Sequence, residues 1–181
     1  MRYILALIPS KQHILTYIQA AQQSFAPIND GYLLADNKSI PHVTICSFQC
    51  DEHKVAEIWS HVESWQINNC PIRAIGLMLK KGKAPQYHYS VGLSVARDSQ
   101  LLHLHYLASD LLESHGITSL NPSRELYQPH LTLAGIGWLP AKDIVLPFII
   151  DDLLSLPSYH FHIVLGRGDD IGQYLETLFE L

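Results

Sequence analysis

Two five-residue segments share one pattern, and this repeat constrains the fold more than any other feature of the sequence. Residues 41–45 read PHVTI and residues 129–133 read PHLTL. Because side chains alternate between the two faces of a β-strand, each segment predicts a strand with His and Thr on one face and aliphatic residues on the other. The aliphatic face is typical of a core, so the His-Thr face must border solvent or a cleft.

Helical and strand-like segments alternate along the rest of the chain. The hydrophobic spacing predicts strands at about 2–8, 42–49, 71–80, 86–95, 130–136, 158–166 and 173–180, and helices after Ser10, at about 52–65 and at about 98–115. Ser10 and Asp51 are expected to cap the first two helices, and Gly116 to end the third. Neighbouring strands joined by short turns favour an α+β fold with mainly antiparallel pairing over a doubly wound parallel sheet.

Three segments between these elements carry turn signals. Turn-forming residues between 27 and 31 predict a loop, and the glycine-rich residues 166–172 predict a turn between the last two strands. Residues 140–157 are interrupted by Pro147 and predict only a short helix with an irregular flank.

Composition limits the class of protein. The 181 residues, 48% hydrophobic and 16% charged, predict one globular domain over 1–181. A net charge of -5 argues against binding of long duplex nucleic acid. The chain has no run of about 20 apolar residues that would span a membrane. The three cysteines match no paired spacing, so we expect reduced thiols. The apolar run at residues 3–8 is too short for a secretory signal, so we expect a cytoplasmic location. We also expect a monomer.

The paired motifs contain the groups that hydrolysis of a phosphodiester requires. A neutral histidine takes a proton from the attacking water, and a protonated histidine gives one to the leaving oxygen. Threonine hydroxyls donate hydrogen bonds to the phosphate oxygens. We therefore predict that His42 and His130 are catalytic, with the roles of acid and base left open, and that Thr44 and Thr132 bind phosphate.

Two H-x-T motifs of this kind resemble those of the two-histidine (2H) phosphoesterase superfamily, which includes 2′-5′ RNA ligase-like proteins and cyclic phosphodiesterases. The resemblance implies a bilobal fold with two pseudo-symmetric antiparallel sheets, flanking helices, a central cleft and lobes intertwined in sequence. It also implies hydrolysis of 2′,3′-cyclic phosphates of nucleotides or RNA ends without metal or cofactor. Two alternatives stay open. One is activity on ADP-ribose 1″,2″-cyclic phosphate or 2′-5′-linked oligonucleotides, and the other is a non-catalytic module that binds nucleotides or RNA ends.

One part of the family pattern is missing. Many RNA-ligase-like relatives carry an arginine a few positions beyond the second motif, where this chain reads AGIG at 134–137. Arg124 and Arg167 are candidate replacements, with surface loop charges as the alternative. Tyr127 is a candidate for stacking on a base, with a half-buried loop tyrosine as the alternative. The lysines of residues 80–83 suggest either a positive rim or a solvated turn.

The remaining chemistry-bearing residues give weaker signals. His160 and His162 share a strand face, but no third ligand stands at a recognisable spacing, so we predict no metal site. His103 and His105 are expected to be surface and packing residues. Cys46 falls on the face of His42 by parity and is expected at the cleft floor. No P-loop, Rossmann fingerprint or nucleophile elbow is present in the sequence.

Overall fold

The computed structural model describes residues 1–27, 29–35, 39–65, 67, 70–82, 88–121, 124–137, 154 and 159–181, without the side chains of 29–31, 124, 159 and 160. Within these residues the chain forms nine strands and three α-helices: β1 (Arg2–Pro9), α1 (Lys11–Phe25), β2 (Asn29–Leu33), β3 (Val43–Gln49), α2 (His53–Glu63), β4 (Cys70–Ile72), β5 (Ala74–Lys81), β6 (Tyr89–Val95), α3 (Ser99–Ser114), β7 (His130–Ile136), β8 (Tyr159–Gly168) and β9 (Tyr174–Glu180). A short 3₁₀ helix, Arg124–Leu126, precedes β7. Apart from residue 154, the irregular segment predicted at 140–157 lies outside the described residues.

The strands form one hydrogen-bonded network in the order β4-β8-β1-β3-β7-β6-β5, with β9 beside β8 and β2 beside β7. All of these pairings are antiparallel, which confirms the predicted α+β class. In the described part of the chain, β3 and β7 pair only at Val43 and Leu131. Two groups of strands therefore meet along this line, and each group contributes one H-x-T motif. The pseudo-symmetric two-lobed arrangement stays a prediction.

Strand β2 corrects the predicted loop at 27–31. Its residues Tyr32 and Leu33 pair with Gly135 and Ala134 in the second half of β7. Strand β3 pairs only with the first half of β7, so the edge of the second half of β7 is open to β2. Pairing with a neighbouring strand thus outweighs the local turn preference of this segment.

Helices α2 and α3 contribute to the core the apolar faces that their spacing predicts, whereas Leu15 of α1, predicted on the apolar face of that helix, is exposed. The buried positions are Val55, Ile58, Trp59 and Val62 on α2, and Leu101, Leu104, Ala108 and Leu112 on α3. Gly116, with φ of 66°, follows the end of α3 as predicted. The prediction that Asp51 caps α2 is wrong, because Glu52 occupies that position without a side-chain hydrogen bond. None of the described helices has both the length and the apolar character to cross a membrane.

Candidate active site

The four residues of the two H-x-T motifs line one pocket. His42 immediately precedes β3 and Thr44 lies within it, while His130 and Thr132 lie on β7. Both threonines and His130 are partly exposed, and His42 is 9% exposed. The polar residues that line the same pocket include Arg2, Ser47, Lys80, Ser90, Asn121 and Gln173.

The two imidazoles are oriented by equivalent hydrogen bonds. The Nδ1 atom of His42 lies 2.8 Å from the carbonyl oxygen of Ile40, and the Nδ1 atom of His130 lies 2.8 Å from that of Gln128. A carbonyl oxygen only accepts, so both Nδ1 atoms carry a hydrogen. In the neutral ring, Nε2 then holds the lone pair. In each histidine the carbonyl thus occupies Nδ1, and Nε2 is the ring nitrogen whose lone pair can take part in proton transfer.

The surroundings of the two rings differ. The His42 ring lies 5.5 Å from the ring of Tyr174, measured between centroids. Burial lowers the pKa of His42, and the carbonyls of Ile40 and Gly172 and the charge of Asp169 oppose this effect more weakly. The ammonium group of Lys80 lies within hydrogen-bond distance of His130 Nε2. His42 is therefore held neutral near pH 7, whereas a cation stands beside His130.

A β-bulge follows the threonine in each motif. In β3, Thr44 lies opposite Ala6 and Cys46 lies opposite Leu5, so Ile45 is the extra residue. In β7, Thr132 lies opposite Gly92 and Ala134 lies opposite Val91, so Leu133 is the extra residue. A bulge reverses the alternation of side chains beyond it.

The bulge in β3 corrects the placement of Cys46. Its side chain is 1% exposed and belongs to the hydrophobic core, where burial raises the pKa of the thiol to about 12. Ser47 lines the pocket instead. The cleft floor therefore offers a hydroxyl rather than a thiol at this point.

Solved structures with related architecture were found for nearly the whole chain. A phosphoesterase matches with a TM-score of 0.55 and 15% identity, covering 99% of this chain and 96% of the other. Usb1 of Kluyveromyces marxianus matches with a TM-score of 0.50 and 13% identity, covering 98% and 95%. Its structure with uridine monophosphate matches with a TM-score of 0.50 and 12% identity, covering 98% and 97%.

The chain has the 2H phosphoesterase fold. The resemblance inferred from the H-x-T motifs is thereby confirmed at the level of the fold. No protein-family model and no curated protein matches the sequence.

Tyr127 does not have the environment that stacking on a base requires. The side chain is 2% exposed, and its ring is stacked on that of His105 with centroids 3.9 Å apart and an interplanar angle of 5°. Its hydroxyl donates to the carbonyl oxygen of Thr44 at 2.8 Å, and His105 Nδ1 lies 2.7 Å from the carbonyl oxygen of Ile45. In this 2H phosphoesterase fold, the stacked pair supports the bulge beside Thr44. The predicted contact of Tyr127 with substrate is corrected accordingly.

Of the two predicted arginines, Arg167 is not among the residues that line the pocket. Its guanidinium forms ion pairs with Glu52 at 2.7 Å and Glu176 at 3.2 Å, so these two carboxylates, outside the pocket, neutralise its charge. Arg124 begins the 3₁₀ helix before β7, but its side chain is outside the described part, so its contact with substrate stays a prediction.

Among the described residues, the cations that line the pocket are Arg2 and Lys80. Sequence reasoning missed Arg2, although a single charge at the start of an otherwise apolar strand was a signal. Lys80 was part of a lysine run assigned to a rim or a solvated turn. Because side chains alternate along β5, Lys80 faces the pocket and Lys81 lies on the opposite, exposed face.

The glycine-rich turn contributes a wall of the pocket as well as joining β8 to β9. Ile171, Gly172 and Gln173 line the pocket beside His42. The Asp169 carboxylate accepts hydrogen bonds from the backbone N–H groups of Ile171 at 3.0 Å and Gln173 at 2.8 Å. Gly172 has φ of 90°, which favours glycine at this position. In the parts of the chain that the structure describes, no three metal-binding side chains converge.

Proposed function

We propose that the protein is a metal-independent phosphodiesterase that hydrolyses the 2′,3′-cyclic phosphates of nucleotides or RNA ends. The observation that carries this proposal is the equivalent anchoring of His42 and His130 in one pocket, where a backbone carbonyl occupies Nδ1 of each ring and Nε2 is the nitrogen for proton transfer. One neutral and one protonated imidazole on opposite sides of a phosphate can move both protons that hydrolysis requires.

His42 acts as the general base in this proposal. Its burial favours the neutral form, so its Nε2 accepts a proton from water as the water oxygen bonds to phosphorus. His130, protonated at Nε2, gives its proton to the ribose oxygen as the bond between that oxygen and phosphorus breaks. The product is a nucleoside monophosphate. His42 has gained a proton and His130 has lost one, and exchange with solvent returns both histidines to their starting states.

Lys80 and the two threonines stabilise the phosphate. The Thr44 and Thr132 hydroxyls donate to non-bridging oxygens, and the Lys80 ammonium attracts the same charge. Without substrate, Lys80 contacts His130 Nε2. A bound phosphate offers the ammonium a charged acceptor instead, which frees Nε2 to carry the catalytic proton. Lys80 thus takes the place of the arginine that RNA-ligase-like relatives carry beyond the second motif.

The nucleotide nature of the substrate is supported by the comparison with Usb1, whose structure was solved with uridine monophosphate. We further propose that the two groups of strands are the two lobes of a single domain spanning 1–181, and that the protein acts as a monomer. Each group supplies one H-x-T motif followed by a bulge, which supports a two-lobed arrangement around the cleft.

A single-turnover assay tests this function. Excess enzyme is mixed with adenosine 2′,3′-cyclic phosphate in EDTA, and the products are separated by chromatography. We expect conversion to an adenosine monophosphate at the same rate with and without EDTA. Tight binding without product would indicate a binding module, and a requirement for added metal would contradict the proposed mechanism.

A further inference from the structure

We propose that Arg2, Ser47 and Asn121 form a second phosphate subsite in the cleft, and that the substrate therefore carries a phosphate on C5 of the ribose that bears the cyclic phosphate. This inference rests on the proposed function, because it extends the same pocket. It adds a recognition element away from the reacting phosphorus.

A chain of hydrogen bonds builds the subsite. Asn121 Oδ1 accepts from the backbone N–H of Ser47 at 2.5 Å and from its hydroxyl at 3.0 Å. Arg2 Nη2 donates to the same hydroxyl oxygen at 3.2 Å. Because Oδ1 faces two donors, the orientation of the Asn121 amide is fixed and its NH₂ group is left for another acceptor. The Leu120 N–H donates to the Ser47 carbonyl at 2.7 Å, which holds the loop carrying Asn121 against β3.

The charge of Arg2 is not balanced within the described chain. Its guanidinium donates to two neutral oxygens, the Asp170 carbonyl at 2.8 Å and the Ser47 hydroxyl, and forms no ion pair with any described carboxylate. Its Nε is buried and has no acceptor among the described residues. A cation partly withdrawn from water without a counter-charge is unfavourable. Arg167, by contrast, is neutralised by two glutamates.

The position of the subsite matches a group adjacent to the reacting phosphate. The extra residue Ile45 leaves two regular strand steps from Thr44 to Ser47, roughly 7 Å along β3. A group bound there is separated from the cyclic phosphate by about the width of a ribose. The guanidinium of Arg2 and the NH₂ of Asn121 are donors only, so they select an anion over a neutral base.

Equilibrium binding of two unreactive ligands tests the subsite without relying on turnover. We would measure the Kd of adenosine 3′-monophosphate and adenosine 3′,5′-bisphosphate by calorimetry for the wild type, Arg2→Gln and the exposed control Arg73→Gln. The wild type and the control should prefer the bisphosphate by about 10-fold or more, the effect of a charged hydrogen bond. Arg2→Gln should reduce this preference to about threefold or less.

Two results would overturn the subsite. One is a wild type with no preference for the bisphosphate. The other is an equal rise in Kd for both ligands in Arg2→Gln, which would show that Arg2 only supports the turn at Asp170.

Kinetics then identify the source of the second phosphate. We would compare kcat/KM for adenosine 2′,3′-cyclic phosphate, its 5′-phosphorylated form and a dinucleotide ending in a cyclic phosphate. If kcat/KM rises only for the 5′-phosphorylated nucleotide, the subsite binds a free terminal phosphate. If it rises for that nucleotide and for the dinucleotide, the subsite also binds the phosphate that links two nucleotides at an RNA end. Equal values for all three would contradict the subsite. Absence of turnover for all three would reject the proposed function, while the binding preference would still decide the subsite.

Discussion

The hydroxyl group of Tyr127 donates a 2.8 Å hydrogen bond to the carbonyl oxygen of Thr44. Tyr127 lies three residues before His130, so this bond joins the approach to the second motif with the strand of the first. In the described ranges, β3 and β7 share only the pairing of Val43 with Leu131. The Tyr127 bond therefore helps to set the spacing between the two halves of the site.

Replacement of Tyr127 by Phe should destabilise the fold and misplace Thr44. The carbonyl of Thr44 loses a donor, so we expect the free energy of unfolding to fall by about 1 kcal/mol, measured in urea. A shift of Thr44 relative to His130 should also lower kcat more than it raises KM, because orientation in the transition state is affected. Unchanged stability together with unchanged kcat would show that the bond has no positioning role.

The lysine pair of β5 provides a matched test of the phosphate cation. Lys80→Gln removes a charge beside His130, and we expect kcat/KM to fall by about 10- to 100-fold. Lys81→Gln removes the same charge from the exposed neighbour and should leave kcat/KM nearly unchanged. Equal losses in both variants would indicate a general electrostatic effect and contradict a specific role for Lys80.

The pH dependence follows from the burial of His42. A base acts only when deprotonated, and burial lowers the pKa of His42 below its ordinary value of 6.5. Activity should therefore be retained at pH 6.5 and fall only as the pH drops through this lowered pKa. The measurement is kcat/KM against pH at constant ionic strength. An acid limb centred above 6.5 would contradict the assignment of His42 as the base.

A substrate with a good leaving group separates the two histidines further. A p-nitrophenyl phosphodiester needs little protonation of the departing oxygen. His130→Ala should consequently lose much less activity on this substrate than His42→Ala, and the reverse order would exchange the two roles.

Gly92 lies opposite Thr132, next to the bulge of β7. A Cβ atom at this position would overlap the carbonyl of Leu131, so Gly92→Ala should push β7 away and destabilise the protein by about 1–3 kcal/mol. Gly76→Ala on β5 is the control, since nothing lies within 4 Å of its added Cβ. Thermal unfolding of both variants measures the loss of stability. Equal Tm values for Gly92→Ala and Gly76→Ala would contradict the close approach of β6 and β7.

Local sequence patterns predicted much of the fold. The spacing of Val55, Ile58, Trp59 and Val62 identified the buried face of α2, and the alternation in the H-x-T segments placed His42 and His130 on strands or at their start. These features depend on the geometry of one element at a time. Convergence of the two motifs in one pocket was inferred from the repeat and the family resemblance together.

The features that sequence reasoning missed depend on contacts between distant segments. The bulge at Ile45 exists because β3 pairs with β1, and it moves Ser47 rather than Cys46 into the pocket. Lys80 reaches His130 only because β5, β6 and β7 are neighbours in the sheet. Tyr127 is buried because His105 of a separate helix stacks on it. No local periodicity encodes these relationships.

The most direct test of the account measures kcat/KM for adenosine 2′,3′-cyclic phosphate in EDTA with His42→Ala, His130→Ala, the double variant and the exposed control His103→Ala. Each single variant should lose about 10²–10⁴-fold, and the double variant should be little worse than the poorer single one, because the two imidazoles act on one phosphorus as a unit. His103→Ala should match the wild type. Full activity in either single motif variant would contradict the central claim.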